Sequence, residues 1–246
     1  MIIAWQGYPE HYRWLEWAGA GRSSRILDVG CGGGGLLQSL YRDGFSHLRG
    51  IDPFLPPTGA SSDDGRLVLR RSALPESAER FDLILMNHSL EHVPEPETTL
   101  IALSRCLADE GKILIRTPIL PNYCWEIYGP SWVQLDAPRH CFIFTRKALE
   151  LLASHAGLRI ERWGWDSTQF QFIGSEQYRR DIPLMSDRSH IKSPRNSIFT
   201  KEELRRFRSN ARQLNEEGRG DQVFVVLAKA LPSVPPEKPY ARASAR

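Results

Sequence analysis

The run Gly30-Cys31-Gly32-Gly33-Gly34-Gly35, with one acid before it at Asp28 and another beyond it at Asp52, constrains this chain more than any other feature. Arg25 to Val29 reads as a short apolar strand that enters a turn where glycines let the backbone pass close to a ligand, with a helix from about Leu36. His47 to Ile51 reads as a second strand. Asp52 follows it, 22 residues after Gly30, where a carboxylate can accept hydrogen bonds from both hydroxyls of a ribose. A nucleoside cofactor is therefore expected. Gly30, Gly32 and Gly35 also satisfy the dinucleotide spacing G-x-G-x-x-G, so the glycines alone do not say which nucleoside. Asp28 helps to decide. A dinucleotide sets its pyrophosphate on the helix N-terminus, where a carboxylate at the tip of the preceding strand repels it. A cofactor carrying an ammonium and a sulfonium is attracted there instead.

At these residues the chain resembles the class I S-adenosylmethionine-dependent methyltransferases, whose first motif, acid-x-Gly-x-Gly-x-Gly, is matched by Asp28, Gly30, Gly32 and Gly34. Phe81 to Asn87 is similar to the family's fourth strand, Ser89 to Val93 to the segment after it, and Leu107 to Ile115 to the turn into the fifth. The resemblance covers residues 25 to 116. It implies an α/β, Rossmann-like fold: a mostly parallel seven-stranded sheet with a late antiparallel strand and helices on both faces. It also implies S-adenosyl-L-methionine as cofactor. Asp28, Gly30, Cys31, Gly32 and Gly34 would then hold the methionyl part and Asp52 the ribose, with Asn87 and His88 lining the cofactor near its methyl group. After the third strand, Arg66 to Arg70, the family often has an acid that reads the adenine amino group. Here Arg71-Ser72 stands in its place, and backbone groups of Ser72 and Ala73 are assigned to the adenine.

A chain of 246 residues with 41% hydrophobic content can bury one sizeable core. The expected organisation is an aromatic N-terminal arm over 1–24 (Trp5, Tyr8, Tyr12, Trp14, Leu15, Trp17), a methyltransferase domain over 25–230 and a disordered tail over 231–246. A net charge of +3, spread along the chain, implies no general affinity for nucleic acid. No apolar run has the length of a membrane span, and Met1-Ile2-Ile3-Ala4 lacks the basic flank of a secretion signal, so a cytoplasmic protein is expected. Cys31, Cys106, Cys124 and Cys141 show no metal-ligand spacing and are expected to be reduced thiols.

Periodicity predicts helices over Leu100-Leu103-Leu107, from Thr145 to Gly157, and from a capping box at Thr200-Lys201-Glu202-Glu203 through Leu214. Arg205, Arg206, Arg208 and Arg212 read as the solvated face of the last helix. Asp221 to Ala230 reads as a strand buried on both faces, in the place of the family's antiparallel insertion.

Two segments exceed a minimal cofactor domain and are expected to serve a small-molecule acceptor: 117–145 and 164–200. The first is rich in aromatics and contains Asp136-Ala137-Pro138-Arg139-His140, similar to a segment in a broad group of bacterial methyltransferases. If the acceptor is a hydroxyl, a base must take its proton, and an imidazole suits that role at neutral pH. His140 is the expected base, with Asp136 orienting it or acting itself, Arg139 holding an anionic group, and Tyr123 and Trp132 as walls.

His88-Ser89-Leu90-Glu91-His92 also matches the zinc-hydrolase pattern H-x-x-E-H, but Pro94 and Pro96 interrupt the helix that this motif needs, and no metal is expected. The default for Glu91 is a structural hydrogen bond, and for His92 an inward-facing residue that steadies the loop. An NAD(P)-dependent oxidoreductase and a non-catalytic cofactor-binding protein of the same fold are the alternatives.

Overall fold

The computed structural model describes residues 10–75 and 79–230. The proposed tail and the first part of the aromatic arm, with Trp5 and Tyr8, lie outside the described residues. The chain opens with α1 (Glu10–Ala18), then β1 (Arg25–Val29), α2 (Gly35–Arg42), β2 (His47–Ile51), a two-residue β3 (Ala60–Ser61), β4 (Leu67–Arg70) and β5 (Phe81–Asn87). It continues with α3 (Pro96–Arg105), β6 (Leu107–Leu120), α4 (Tyr123–Tyr128), a two-residue β7 (Phe144–Thr145) and α5 (Arg146–His155). The last elements are β8 (Leu158–Trp165), α6 (Phe170–Tyr178), α7 (Lys201–Glu216) and β9 (Gln222–Lys229).

The sheet order is β3-β4-β2-β1-β5-β6-β9-β8, with β7 pairing beside β6. Without the two short strands this is a seven-stranded sheet in which β9 runs antiparallel between β6 and β8. Strands β4, β2, β1, β5 and β6 are mutually parallel, and β8, reversed twice, points the same way. Their carboxyl ends therefore share one edge, where ligands of open α/β sheets bind. The order reverses between β1 and β5, so the loops after Val29 and Asn87 flank the switch point.

Burial on both sheet faces explains the near-continuous apolar runs of the central strands. Leu27, Ile84, Ile113 and Val225 meet α3 and α5 on one side. Ile26, Leu83, Leu114 and Phe224 meet α1 and α2 on the other. Trp14 and Leu15 of α1 belong to the second layer, and Trp17 stacks on Phe224 with ring centroids 3.7 Å apart. The described part of the arm thus packs on the sheet. Leu107, placed by periodicity on the α3 face and by resemblance in the turn into the fifth strand, is the first residue of β6, opposite Phe81, because the chain turns at Cys106 and an irregular register lets the strand begin early.

Thr117 to Leu120, assigned to the acceptor loop, also continue β6, where Thr117 pairs with Val223. The remainder of that segment is not an irregular lid. Asn122 caps α4 by accepting a hydrogen bond from the Trp125 amide, and Cys124 and Trp132 form a third apolar cluster with Phe172 of α6 and Phe207 of α7. The capping box at Thr200 and Glu203 is formed, as is the Thr145 cap of α5. Among the described residues no helix is long and apolar enough to cross a membrane.

Candidate active site

Sheet register sets Asp28 between Gly50 of β2 and Leu85 of β5, at the carboxyl edge. Its side chain is buried, 4% exposed, and among the described residues no donor reaches its carboxylate. Desolvation, with a smaller push from Asp52, raises its pKa to about 7. A buried acid without a partner is costly unless a cation arrives to meet it. Asp52 is held differently: Oδ2 accepts from the Gly32 amide at 2.9 Å and Oδ1 from the Phe54 amide at 2.8 Å. Each oxygen keeps a lone pair for a further donor.

Gly30, with φ of 78°, lies where a Cβ would come within 2.5 Å of the Ser89 Cβ, so this glycine lets the loops after β1 and β5 touch. At Gly34, φ 76°, a Cβ would meet Leu69 at 2.5 Å. Ser89 Oγ is buried with no hydrogen-bond partner among the described residues. Burial, then Asp28 and Asp52, raise the Cys31 thiol to about 12, which keeps it neutral. Ser72 donates its hydroxyl to the Leu74 carbonyl at 2.6 Å, so that side chain is engaged locally. An unpartnered acid and an orphaned hydroxyl thus face a glycine cradle. This donor and acceptor set fits an amino-acid nucleoside with a free ammonium, and it does not fit a pyrophosphate.

Beyond β5, Asn87 accepts a hydrogen bond at Oδ1 from Arg116 Nη1 at 2.7 Å. His88 adopts a left-handed backbone, φ 51°, unusual for a side chain of its size. Its Nδ1 lies 3.2 Å from Oε1 of Glu91, and Oε2 of that fully buried carboxylate accepts from the Thr117 hydroxyl at 3.0 Å. Burial pushes the Glu91 pKa up, but the hydrogen bond and charge of His88 outweigh it and hold the group below its ordinary value. The segment from Leu90 to His92 is a single 3-10 turn, so the helix that a zinc hydrolase needs is not formed.

His140 is brought to the same place by backbone bonds from Cys141 and Phe142 to the Glu91 carbonyl. Its Nδ1 is 2.8 Å from the Gln134 carbonyl, and its ring packs edge-on to His92 at 4.7 Å. Burial, the largest influence, keeps its pKa below the ordinary histidine value. Asp136 lies 3.8 Å from His140 Nε2, too far for a hydrogen bond, and its nearer partner is Arg139 at 2.5 Å. His92, expected to face inward, is exposed and ties the loop down through Nδ1 and the Arg139 carbonyl, 2.8 Å apart. One ligand atom from each of Glu91, His92 and His140 falls within 4.8 Å of the others. The sequence hid this meeting because His140 is 49 residues from Glu91.

Trp132 was expected to wall the acceptor site, but it is fully buried, donating its indole N–H to Asp221 at 3.0 Å. Gln134 donates to the same oxygen at 2.7 Å. Trp132 is a core residue. Tyr123 is partly buried beneath Phe172, with its ring under the Arg219 guanidinium. The second acceptor segment is better placed. Trp165 ends β8 and Asp166 follows it at the carboxyl edge, and Arg116, 6% exposed, joins Asn87 to Asp166 through a 2.5 Å bond while lying over the Trp14 ring. Beyond Asp166 opens a cavity of about 740 Å³ between α1, the 166–170 turn and α7. No local pattern revealed this cavity, since its walls come from both ends of the chain.

The sequence profile of a family described as a methyltransferase domain matches residues 12–162, more than half of the chain. The chain belongs to the class I S-adenosylmethionine-dependent methyltransferases. This methyltransferase domain is 36% identical over 128 residues to a ubiquinone biosynthesis O-methyltransferase of Hahella chejuensis, a match covering 47% of this chain and 52% of the relative. It is 33% identical over 166 residues to the protein of the same name from Aeromonas salmonicida, covering 59% and 69%. The match thus spans about half of the first relative and about two thirds of the second. Among solved structures, the O-methyltransferase from a trans-AT PKS multienzyme of Brevibacillus brevis, in complex with S-adenosyl-L-homocysteine, superposes with a TM-score of 0.54 at 16% identity. That likeness covers 89% of this chain and 71% of the other, and concerns the fold. The cofactor of the family is S-adenosylmethionine, as the motif order implied.

Proposed function

We propose that this protein transfers a methyl group from S-adenosylmethionine to a small-molecule acceptor. The observation that carries the reading is Asp28: a buried carboxylate without a partner among the described residues, at the switch point, beside a glycine turn. In this reading Asp28 receives the methionyl ammonium, Asp52 the ribose hydroxyls and Ser89 Oγ a polar group of the same ligand, while the amides of Ser72 and Ala73 face the adenine. When bound, the cofactor supplies a methyl group already activated on a sulfonium.

The chain's own tasks are then alignment, exclusion of water and, for a hydroxyl acceptor, removal of a proton. His88 is the imidazole we assign to that last task. It directly follows Asn87 at the carboxyl end of β5, and Glu91 holds its Nδ1, which leaves Nε2 to accept a proton. Glu91 is steadied by Thr117, in the manner of a buried acid that fixes a catalytic histidine. His140, the base expected from sequence, becomes a positioning residue: its Nδ1 is engaged and its ring is packed against the Glu91 turn. Asp136 and Arg139 fix each other and the loop that carries it.

Calorimetric titration tests the reading. S-adenosylhomocysteine should bind at micromolar or lower concentration, with NADH and NADPH producing no saturable heat. The reverse preference would overturn it.

A further inference from the structure

We infer that the cavity between α1, the 166–170 turn and α7 is the acceptor site, and that it takes a planar, aromatic or conjugated molecule bearing a carboxylate or phosphate. The inference rests on the methyl-transfer reading above. Its volume, about 740 Å³, lies within the range of small-ligand pockets. Trp14, Trp17 and Trp165 line the cavity; Trp14 is covered by Arg116 and Trp17 is stacked by one face on Phe224, so the part-exposed indole surface of Trp17 and Trp165 is what favours an apolar ring over a flexible polar chain. Its floor is tied to the cofactor side: Arg116 lies over the Trp14 ring with its guanidinium carbon 4.0 Å from the centroid, and bridges Asp166 to Asn87.

The charge of the walls is one-sided. Asp166 is neutralised by Arg116, which leaves Glu216 against Arg13, Arg208 and Arg212. Arg208 and Arg212 stand one helical turn apart on α7. Arg208 Nε reaches Gln169 at 3.3 Å, while Arg212 has no hydrogen bond or ion pair among the described residues. Read from sequence, these arginines were a solvated helix face. The fold turns two of them toward a tryptophan-lined cavity, where guanidinium forks bind carboxylate and phosphate groups in two-point fashion. A neutral ring would use the tryptophans and leave the arginines idle, so the anionic group distinguishes the true acceptor class.

The test uses the full chain saturated with S-adenosylhomocysteine, titrated calorimetrically with 4-hydroxycinnamate, its methyl ester and phenyl phosphate. At least one anionic probe should bind about tenfold or more tightly than the ester, and the stronger of the two identifies carboxylate or phosphate as the natural group. Arg208→Ala with Arg212→Ala should erase that preference while leaving S-adenosylhomocysteine affinity within about twofold. Trp165→Ala should weaken acid and ester alike. Equal binding of acid and ester, failure of every probe to bind, or a preference that survives the double substitution would overturn the inference. Failure of the unsubstituted protein to bind S-adenosylhomocysteine would instead overturn the methyl-transfer reading on which it rests.

Discussion

Replacing Asp28 by Asn should change the pH dependence of stability in a way no surface substitution can. The folded carboxyl titrates at about 7 against 3.8 for the ordinary group, chiefly through desolvation and secondarily through Asp52. At about 1.36 kcal/mol for each pH unit, this corresponds to about 4 kcal/mol. The sign follows from proton counts. Between 3.8 and 7 the unfolded chain has lost this proton and the folded chain retains it, so stability falls as pH rises through that window and levels off above it. The advantage of the neutral acid is complete below the lower value and gone above the upper one. Between pH 5 and pH 8 this group alone should cost the native protein about 3 kcal/mol, and Asn, a neutral isostere, removes that slope. Urea unfolding of both proteins at pH 5, 6, 7 and 8 gives the difference curve, in which all other groups cancel. The variant should gain on the native protein steadily up to pH 7. It should also lose cofactor affinity by about a hundredfold or more, having given up the charge that meets an ammonium. A difference that stays flat with pH, or unchanged S-adenosylhomocysteine affinity, would refute the reasoning.

Other substitutions probe the remaining parts of the site. Gly30→Ala puts a methyl against Ser89 at a positive φ and should cost about 1–3 kcal/mol in urea unfolding while weakening S-adenosylhomocysteine binding in calorimetry. His88→Gln should lower kcat on a hydroxyl acceptor by about a hundredfold with little change in cofactor affinity, whereas His140→Ala should lower it less than about tenfold. Steady-state rates that reverse this order would return the base to His140. Trp132→Phe strips a donor from buried Asp221 and should cost about 1–3 kcal/mol in thermal or urea unfolding, with acceptor KM unchanged.

The elements that carry the proposed cofactor site were legible because their determinants are local. An acid, a glycine turn, a strand and a second acid follow one another along the chain, and a parallel sheet converts that order into one edge. The same holds for Thr145 and Thr200, whose caps are read from a few neighbouring residues. What sequence misjudged depended on distant partners. Trp132 read as a wall of the acceptor site, but it is packed with residues of α6 and α7 and its indole N–H donates to Asp221. His140 read as a loop base oriented by Asp136, and backbone bonds from Cys141 and Phe142 to Glu91 draw it into a packed turn. Leu107 fitted a helical period, yet pairing with Phe81 claimed it for β6. Arg208 and Arg212 were indistinguishable from their neighbours on α7 until α1 arrived opposite them.

The most direct measurement is a crystal structure with S-adenosylhomocysteine bound. The account expects the homocysteine ammonium within hydrogen-bond distance of the Asp28 carboxylate, the ribose on Asp52 and the sulfur directed toward Asn87 and His88. An amino-acid moiety seated away from Asp28, with that carboxylate still unpartnered, would contradict it.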